Sequence, residues 1–241
     1  VTAHVHETSF GVPSGHAMNA AAFWGLLAAT LKKTWVWVLM IATIFLIGFS
    51  RLYLGVHYLL DVLVGWMLGF ILLWVFLRLE NPVVSWLRSQ KLAMQYLIVF
   101  VASLSFVLVA GLVKISLGDW QVPAAWVENA AAAFPEESPI NPLNLEGLMT
   151  VVGVFFGLGT GAIWITERGG FNAHGVWWRR VLRYPVGLVG VIVIWAGLGA
   201  LFPDGETLLA LSLRYLRYAL VGLWVAGLAP WVFLKLKLAD E

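Results

Sequence analysis

The sequence predicts an all-α bundle of about seven membrane-spanning helices. Hydrophobic residues make up 61% of the 241 residues and charged residues only 12%, and the mean hydropathy is +0.88. Ordinary water-soluble domains are far less apolar, and several apolar runs are long enough to cross a bilayer as helices. Many of the 14 tryptophans lie near the ends of these runs, as is typical of aromatic belts at membrane interfaces.

Seven apolar segments are candidate spans, and a polar loop separates the first four from the last three. We predict spans near residues 14–31, 34–50, 57–79, 92–113, 147–166, 184–202 and 208–234. The loop over 118–146 is rich in proline, so it is predicted to be irregular, with one short helix over Ala124–Ala133. We divide the chain into an N-terminal region, 1–80, and a C-terminal region, 81–241, whose role stays open.

The loops on the two faces of the membrane differ in charge. Side A denotes the face that holds Ser14, and alternating spans place on the opposite face Lys32, Lys33, Arg78, Arg88, Lys91, Arg168, Arg179, Arg180, Arg183, Lys235 and Lys237. Side A receives most of the carboxylates, namely Glu7, Asp119, Glu128, Glu136, Glu137, Glu146, Asp204 and Glu206. By the positive-inside rule, side A faces outward, and we expect the plasma membrane of a bacterium or an archaeon.

A group of polar residues is predicted to meet at the side A end of the first three spans. The first span leads away from Ser14 over about 27 Å, the second returns to Arg51, and the third opens at His57. His57 and Asp61 are i and i+4 on one helix, so their side chains meet. A carboxylate on the imidazole Nδ1 fixes the tautomer and leaves Nε2 free to attack.

The remaining members suit the binding and release of a phosphate. Ser14 is a good N-cap residue and Gly15 allows close backbone approach, so free N–H groups at this helix start form an anion site. Arg51 offers a fork of donors that matches phosphate oxygens. His16 can donate a proton to a leaving oxygen.

Two segments, Pro13-Ser14-Gly15-His16 and Ser50-Arg51-x5-His57-x3-Asp61, resemble the second and third signature motifs of the type 2 phosphatidic acid phosphatase (PAP2) superfamily. The resemblance covers about residues 8–79. It implies that His57 is a nucleophile that forms a phosphohistidine, that Asp61 orients it, and that His16 is the acid. It also implies that the phosphate is bound by Ser14, Gly15 and Arg51. No metal is implied for hydrolysis, and the sequence carries no other cofactor signature.

One family motif is missing. No Arg-Pro dipeptide occurs in the sequence, so the first motif, Lys-x6-Arg-Pro, is absent, and the chain starts at Val1 rather than Met. We therefore expect that an upstream part with two phosphate-binding cations is lacking and that the chain by itself is weakly active.

Two functions remain open. The first is an integral membrane phosphatase that acts on a lipid phosphate or isoprenoid pyrophosphate at the outer face; undecaprenyl pyrophosphate, phosphatidic acid and phosphatidylglycerophosphate are all compatible. The second is a non-catalytic lipid-phosphate-binding or transport protein, which the four later spans favour. A haloperoxidase shares the constellation, but those relatives are soluble. Nucleic acid is not an expected partner, since no basic run with interleaved aromatics occurs.

Other features complete the prediction. The chain has no cysteine, which excludes thiolate chemistry, and His4 with His6 would bind a metal only weakly without a further ligand. Arg214 and Arg217 either extend to the headgroups or contact an anionic substrate or lipid. Gly153, Gly157 and Gly161 predict close helix packing, within the chain or between copies in a homo-oligomer.

Overall fold

The computed structural model describes residues 10–136 and 140–240, and over these residues the protein is helical, as the sequence predicts. The helices are α1 (Gly15–Leu31), α2 (Thr34–Tyr53), α3 (Leu59–Arg88), α4 (Leu92–Ser116), α5 (Ala124–Ala133), α6 (Glu146–Thr166), α7 (Trp177–Leu201), α8 (Leu208–Leu223) and α9 (Ala229–Lys235). A π-helical turn, Trp224–Leu228, joins α8 to α9 without a break. The predicted roles of His4, His6, Glu7 and Glu137 fall outside the described residues.

Within the described ranges, six helical segments are long and apolar enough to cross a membrane, which confirms the membrane-bundle class. They are α2, α3, α4, α6, α7 and the continuous segment Leu208–Lys235. The first predicted span corresponds to α1, which has 17 residues and is not one of the six. Its length of about 25 Å is somewhat less than the hydrocarbon thickness.

Helix α3 is longer than the sequence predicts. We expected the span to end near Leu79, whereas the helix continues to Arg88 with Pro82 inside it. Proline fixes φ close to the helical value, but it removes one backbone hydrogen bond and crowds the carbonyl four residues earlier, so the helix continues through Pro82 at a local cost. The short predicted helix over Ala124–Ala133 is confirmed as α5.

The chain forms two compact units. The N-terminal unit comprises residues 1–87 and 120–143, and the C-terminal unit comprises 88–119 and 144–241. Each unit is a group of residues that contact one another. The predicted boundary near residue 80 instead divides the chain by function, and it stays a prediction.

Small residues bring α1 against α3 in the N-terminal unit. A Cβ added to Gly65 would lie 2.7 Å from the Ser14 carbonyl oxygen. A Cβ on Gly69 would collide with the Met18 carbonyl oxygen. The two backbones therefore touch along this line, and the start of α1 lies beside the start of α3.

A second glycine line joins α6 to α8 in the C-terminal unit. A Cβ on Gly153 would lie 2.5 Å from the Tyr215 carbonyl oxygen, and one on Gly157 would collide with the Ala219 carbonyl oxygen. Gly161 meets the backbone of the π-helical turn, where a Cβ would lie 2.9 Å from the Gly227 nitrogen. The glycine repeat predicts close packing either within the chain or between copies, and this face packs within the chain.

Candidate functional site

A tight turn between α2 and α3 holds His57, which lies two residues before α3 begins at Leu59, so the prediction that it lies on that helix is wrong. After α2 ends, Gly55 adopts φ of +70°, a left-handed conformation that favours glycine. The Val56 N–H donates to the Arg51 carbonyl oxygen at 3.3 Å and closes the turn. The segment 50–61 therefore consists of the end of α2, a glycine turn and the start of α3, which keeps Arg51 and His57 in one local structure.

Asp61 faces His57 and also caps α3. The distance from His57 Nδ1 to Asp61 Oδ2 is 3.5 Å, and the two side chains are 5% and 6% exposed. The same Oδ2 accepts a hydrogen bond from the Tyr58 N–H at 2.8 Å. Among the described residues, Nδ1 has no partner in hydrogen-bond geometry, so the His57–Asp61 contact is electrostatic and at the outer limit of a hydrogen bond. A buried carboxylate in this position can hold the imidazole in one orientation.

Ser14 ties the start of α1 to the start of α3. Its side chain is fully buried, and Oγ accepts from the Ala17 N–H at 3.5 Å as the predicted N-cap. Its own N–H donates to the Asp61 carbonyl oxygen at 3.0 Å, so this amide is not available to an anion. The first amides inside α1, those of Gly15 and His16, have no partner within the helix and point out of its start.

Three of the six predicted site residues line one cavity of about 510 Å³: Gly15, His16 and His57. The rest of its wall is formed by Asn19, Ala20, Phe23, Trp24 and Ile47. Asp61 and Ser14 are buried and do not line it. Arg51 also lies off the lining and is partly buried, and its Nε is buried with no hydrogen-bond partner among the described residues.

Sequence reasoning missed Asn19. It lies one helical turn after His16, is exposed, and lines the cavity. The signal was present, because Asn19 is the only amide side chain in a helix that is otherwise mostly alanine and large apolar residues. An amide can both donate to and accept from a bound ligand.

A second, apolar cavity of about 780 Å³ adjoins the first, since Asn19 and Phe23 line both. Its other walls come from α1 and α3, through Ala22, Leu26, Leu72, Leu73, Val75 and Phe76. Over residues 10–136 and 140–240, no cluster of three or more histidine, cysteine or carboxylate side chains is placed to hold a metal ion. The site therefore offers two histidines and backbone amides beside an apolar channel.

Two family models match the chain. Residues 1–85 match that of the PAP2 superfamily, and residues 149–241 match that described as PAP2 superfamily phosphatase, transmembrane extension. The first match includes every predicted site residue. No solved structure matches the chain.

Three characterised proteins are similar to a part of the chain. Phosphatidylglycerophosphatase B of Bacillus subtilis is 43% identical over 77 residues, covering 28% of this chain and 38% of the relative. Undecaprenyl-diphosphatase of Sulfolobus acidocaldarius is 44% identical over 62 residues, 26% of this chain and 30% of the relative. Lipid A 4'-phosphatase of Bacteroides thetaiotaomicron is 31% identical over 80 residues, 33% and 36% respectively. The chain thus spans only about a third of the length of these relatives.

Proposed function

Because the chain belongs to the PAP2 superfamily, we propose that it is an integral membrane phosphatase that hydrolyses a lipid phosphate or isoprenoid pyrophosphate through a phosphohistidine at His57. The observation that carries the proposal is that His57 and His16 line one cavity while Asp61 is buried behind His57. A nucleophile, its orienting carboxylate and an acid are then present at a single place, without a metal among the groups that act.

The reaction has two steps. Nε2 of His57 attacks the phosphorus, the bond to the leaving oxygen breaks, and His16 gives that oxygen a proton. Water then attacks the phosphohistidine, the P–N bond breaks, and inorganic phosphate leaves while the water proton passes to His16. Asp61 stabilises the imidazole while it carries positive charge, and the Gly15 and His16 amides hold phosphate oxygens. Arg51 lies off the cavity lining, so its side chain must turn toward the cavity to join them.

The neighbouring apolar cavity supports a lipid substrate. A phosphate bound beside His16 and His57 would place a hydrocarbon chain next to Phe23, from which the apolar walls continue along α1 and α3. Similarity to a phosphatidylglycerophosphatase and an undecaprenyl-diphosphatase points to the same substrate class. The charge pattern of the loops supports a site at the outer face of the membrane.

The test is phosphate release by the purified full chain in mixed micelles, with phosphatidylglycerophosphate, phosphatidic acid and undecaprenyl pyrophosphate as substrates. His57→Gln should reduce the rate at least about a thousandfold, because no covalent intermediate can form. Labelled phosphatidic acid should leave a base-stable, acid-labile phosphate on the wild-type protein and none on the variant.

The matched control is His174→Gln. His174 is an exposed histidine in the C-terminal unit, so its loss should leave both the rate and the label unchanged. A His57→Gln protein that is folded and releases phosphate as fast as wild type would overturn the mechanism.

Lipid-phosphate binding without turnover is the second candidate. It is favoured by the absence of an Arg-Pro dipeptide from the 241 residues, since two cations that would neutralise the phosphate are then not supplied by this sequence. Binding of all three lipids with no phosphate release by the wild-type chain would establish this function instead.

A further inference from the structure

We propose that Arg217, Trp195 and Tyr218 form a second anion site, which binds the phosphate of an anionic lipid headgroup. These residues belong to the C-terminal unit, and the inference does not depend on phosphatase activity. It rests on a guanidinium in a membrane-spanning segment that has no carboxylate partner among the described residues, on the two aromatic rings beside it, and on Gly199, whose missing side chain leaves room for it.

Arg217 is enclosed on several sides without being neutralised. Its guanidinium carbon lies 5.3 Å from the centre of the Trp195 ring and 5.3 Å from that of the Tyr218 ring. It also lies against Gly199, where an added Cβ would be 2.8 Å from Nη2. In the part of the chain that the structure describes, Nε is buried without a hydrogen-bond partner, and no ion pair includes this residue.

The neighbouring cations differ from Arg217. Arg214, one turn earlier on α8, binds Glu146 at 2.7 Å and approaches Asp204 at 3.5 Å. Lys114 pairs with Glu206 at 3.3 Å. The charge of Arg214 is therefore compensated by carboxylates of the chain itself. Arg217 keeps its charge within a membrane-spanning segment, where an uncompensated charge is costly.

The position of the guanidinium suits a headgroup. Gly199 lies two residues before the end of α7, so the guanidinium is about 3 Å along the axis from that helix end. The Trp195 Nε1 donates to the Tyr218 hydroxyl at 3.2 Å and fixes the aromatic pair. Tryptophan and tyrosine favour the depth where lipid phosphates lie.

The chemistry selects a phosphate. A guanidinium presents paired N–H donors that match two phosphate oxygens, and its charge is hydrated more weakly than that of lysine. Trp195 is 48% exposed, so a lipid can reach this side of the guanidinium. Cation–π contacts with the two rings hold Arg217 in place but leave its N–H donors unused.

The test measures the rise in melting temperature of the purified full chain with short-chain phosphatidic acid, inorganic phosphate or the matching diacylglycerol. All proteins carry His57→Gln to prevent turnover and to keep the first site constant. With Arg217→Gln, about ten times more phosphatidic acid should be needed for the same rise in melting temperature, because a charge-assisted, bidentate contact is lost. Diacylglycerol, which has no phosphate, should not distinguish the proteins.

Arg168→Gln is the matched control. Arg168 also stands over a tryptophan, Trp164, at 4.0 Å, but it donates to the carbonyl of its own helix at 3.2 Å. Its substitution should leave the response unchanged. Arg217→Lys keeps the charge without the fork and should be intermediate, which provides a second variant if Arg217→Gln does not fold.

The outcomes separate the sources of the phosphate. A response to inorganic phosphate as strong as that to phosphatidic acid, and equally sensitive to Arg217, would overturn the lipid assignment and make the free ion the ligand. Equal responses of the Arg217 and Arg168 variants would overturn the site altogether.

Discussion

The two glycine-lined helix contacts, α1 against α3 and α6 against α8, pack in the same way but differ in the polar groups beside them. In both, an added Cβ would meet a backbone carbonyl oxygen. The contact in the N-terminal unit ends at His57, whose buried Nδ1 has no hydrogen-bond partner among the described residues. The contact in the C-terminal unit instead lies beside Ser103, which is fully buried and bonded to both Val152 and Tyr215.

Under the proposed function, the first contact positions reactive groups, whereas the second stabilises the fold. An unsatisfied buried polar atom costs free energy, and at His57 the proposed reaction is a reason to retain it. A satisfied hydroxyl between helices adds a modest stabilisation. Substitution of the glycines and of Ser103 should therefore affect activity in one unit and stability in the other.

The largest effect is expected for Gly65→Leu. Its side chain would meet the Ser14 carbonyl oxygen and the Ala17 Cβ, so α1 must move away from α3 and carry His16 with it. Misplacement by about 1 Å can cost about a hundredfold in rate, and we expect phosphate release to fall by at least about that factor. Phosphate release per folded molecule is the measurement.

Gly111→Leu is the control for this variant. Beyond its chain neighbours and its own helix backbone, no atom of the described residues lies within 4 Å of a Cβ added there, so the larger side chain can extend toward lipid and the rate should be unchanged. If folded Gly65→Leu protein works at the wild-type rate, contact between α1 and α3 does not position the site.

A smaller functional effect, with a clear loss of stability, is expected for Gly157→Leu. The new side chain would collide with the Ala219 carbonyl oxygen, and overpacking of this kind costs about 1–3 kcal/mol of the free energy of unfolding. Denaturation in detergent should show the loss, while we expect phosphate release by the folded fraction to stay within about threefold of wild type, because Gly157 and the proposed site belong to different units. A hundredfold loss of activity would show that the C-terminal contact also supports catalysis.

The smallest effect is expected for Ser103→Ala. It removes a hydrogen bond of 3.0 Å to the Val152 carbonyl oxygen and one of 2.9 Å to the Tyr215 hydroxyl. We expect a loss of about 1 kcal/mol in the free energy of unfolding, as measured for polar contacts between membrane helices. Ser105→Ala is the comparison, because that exposed hydroxyl donates within its own helix at 2.7 Å. Equal losses for the two variants would show that the bridge between helices adds no stability.

Much of the architecture was predictable because a bilayer leaves the backbone few choices. Helices satisfy their own N–H and C=O groups, so long apolar runs become helices. His57 and Asp61 do approach each other, but the premise that they share one helix was wrong, because His57 lies in the turn before α3.

Contacts between distant segments were not predictable in the same way. The bond from the Ser14 N–H to the Asp61 carbonyl oxygen depends on how closely α1 and α3 approach, which the Gly65 and Gly69 backbones decide. The ion pair of Arg214 joins residues 68 positions apart, and hydropathy alone carries no information on such a partner. Asn19 was overlooked because a single amide in an apolar helix does not belong to either motif.

The Asp61 carboxylate has a consequence for the depth at which the protein meets its lipids. Asp61 Oδ2 both accepts a hydrogen bond from the Tyr58 N–H at the start of α3 and faces the imidazole. The position of His57 is therefore tied to the register of that helix. A shift of α3 by one residue would move Asp61 about 1.5 Å along the helix axis and turn it by about 100°, away from the imidazole. We therefore expect the protein to sample one narrow depth, so that lipids with larger headgroups must rise or sink in the leaflet to present their phosphorus.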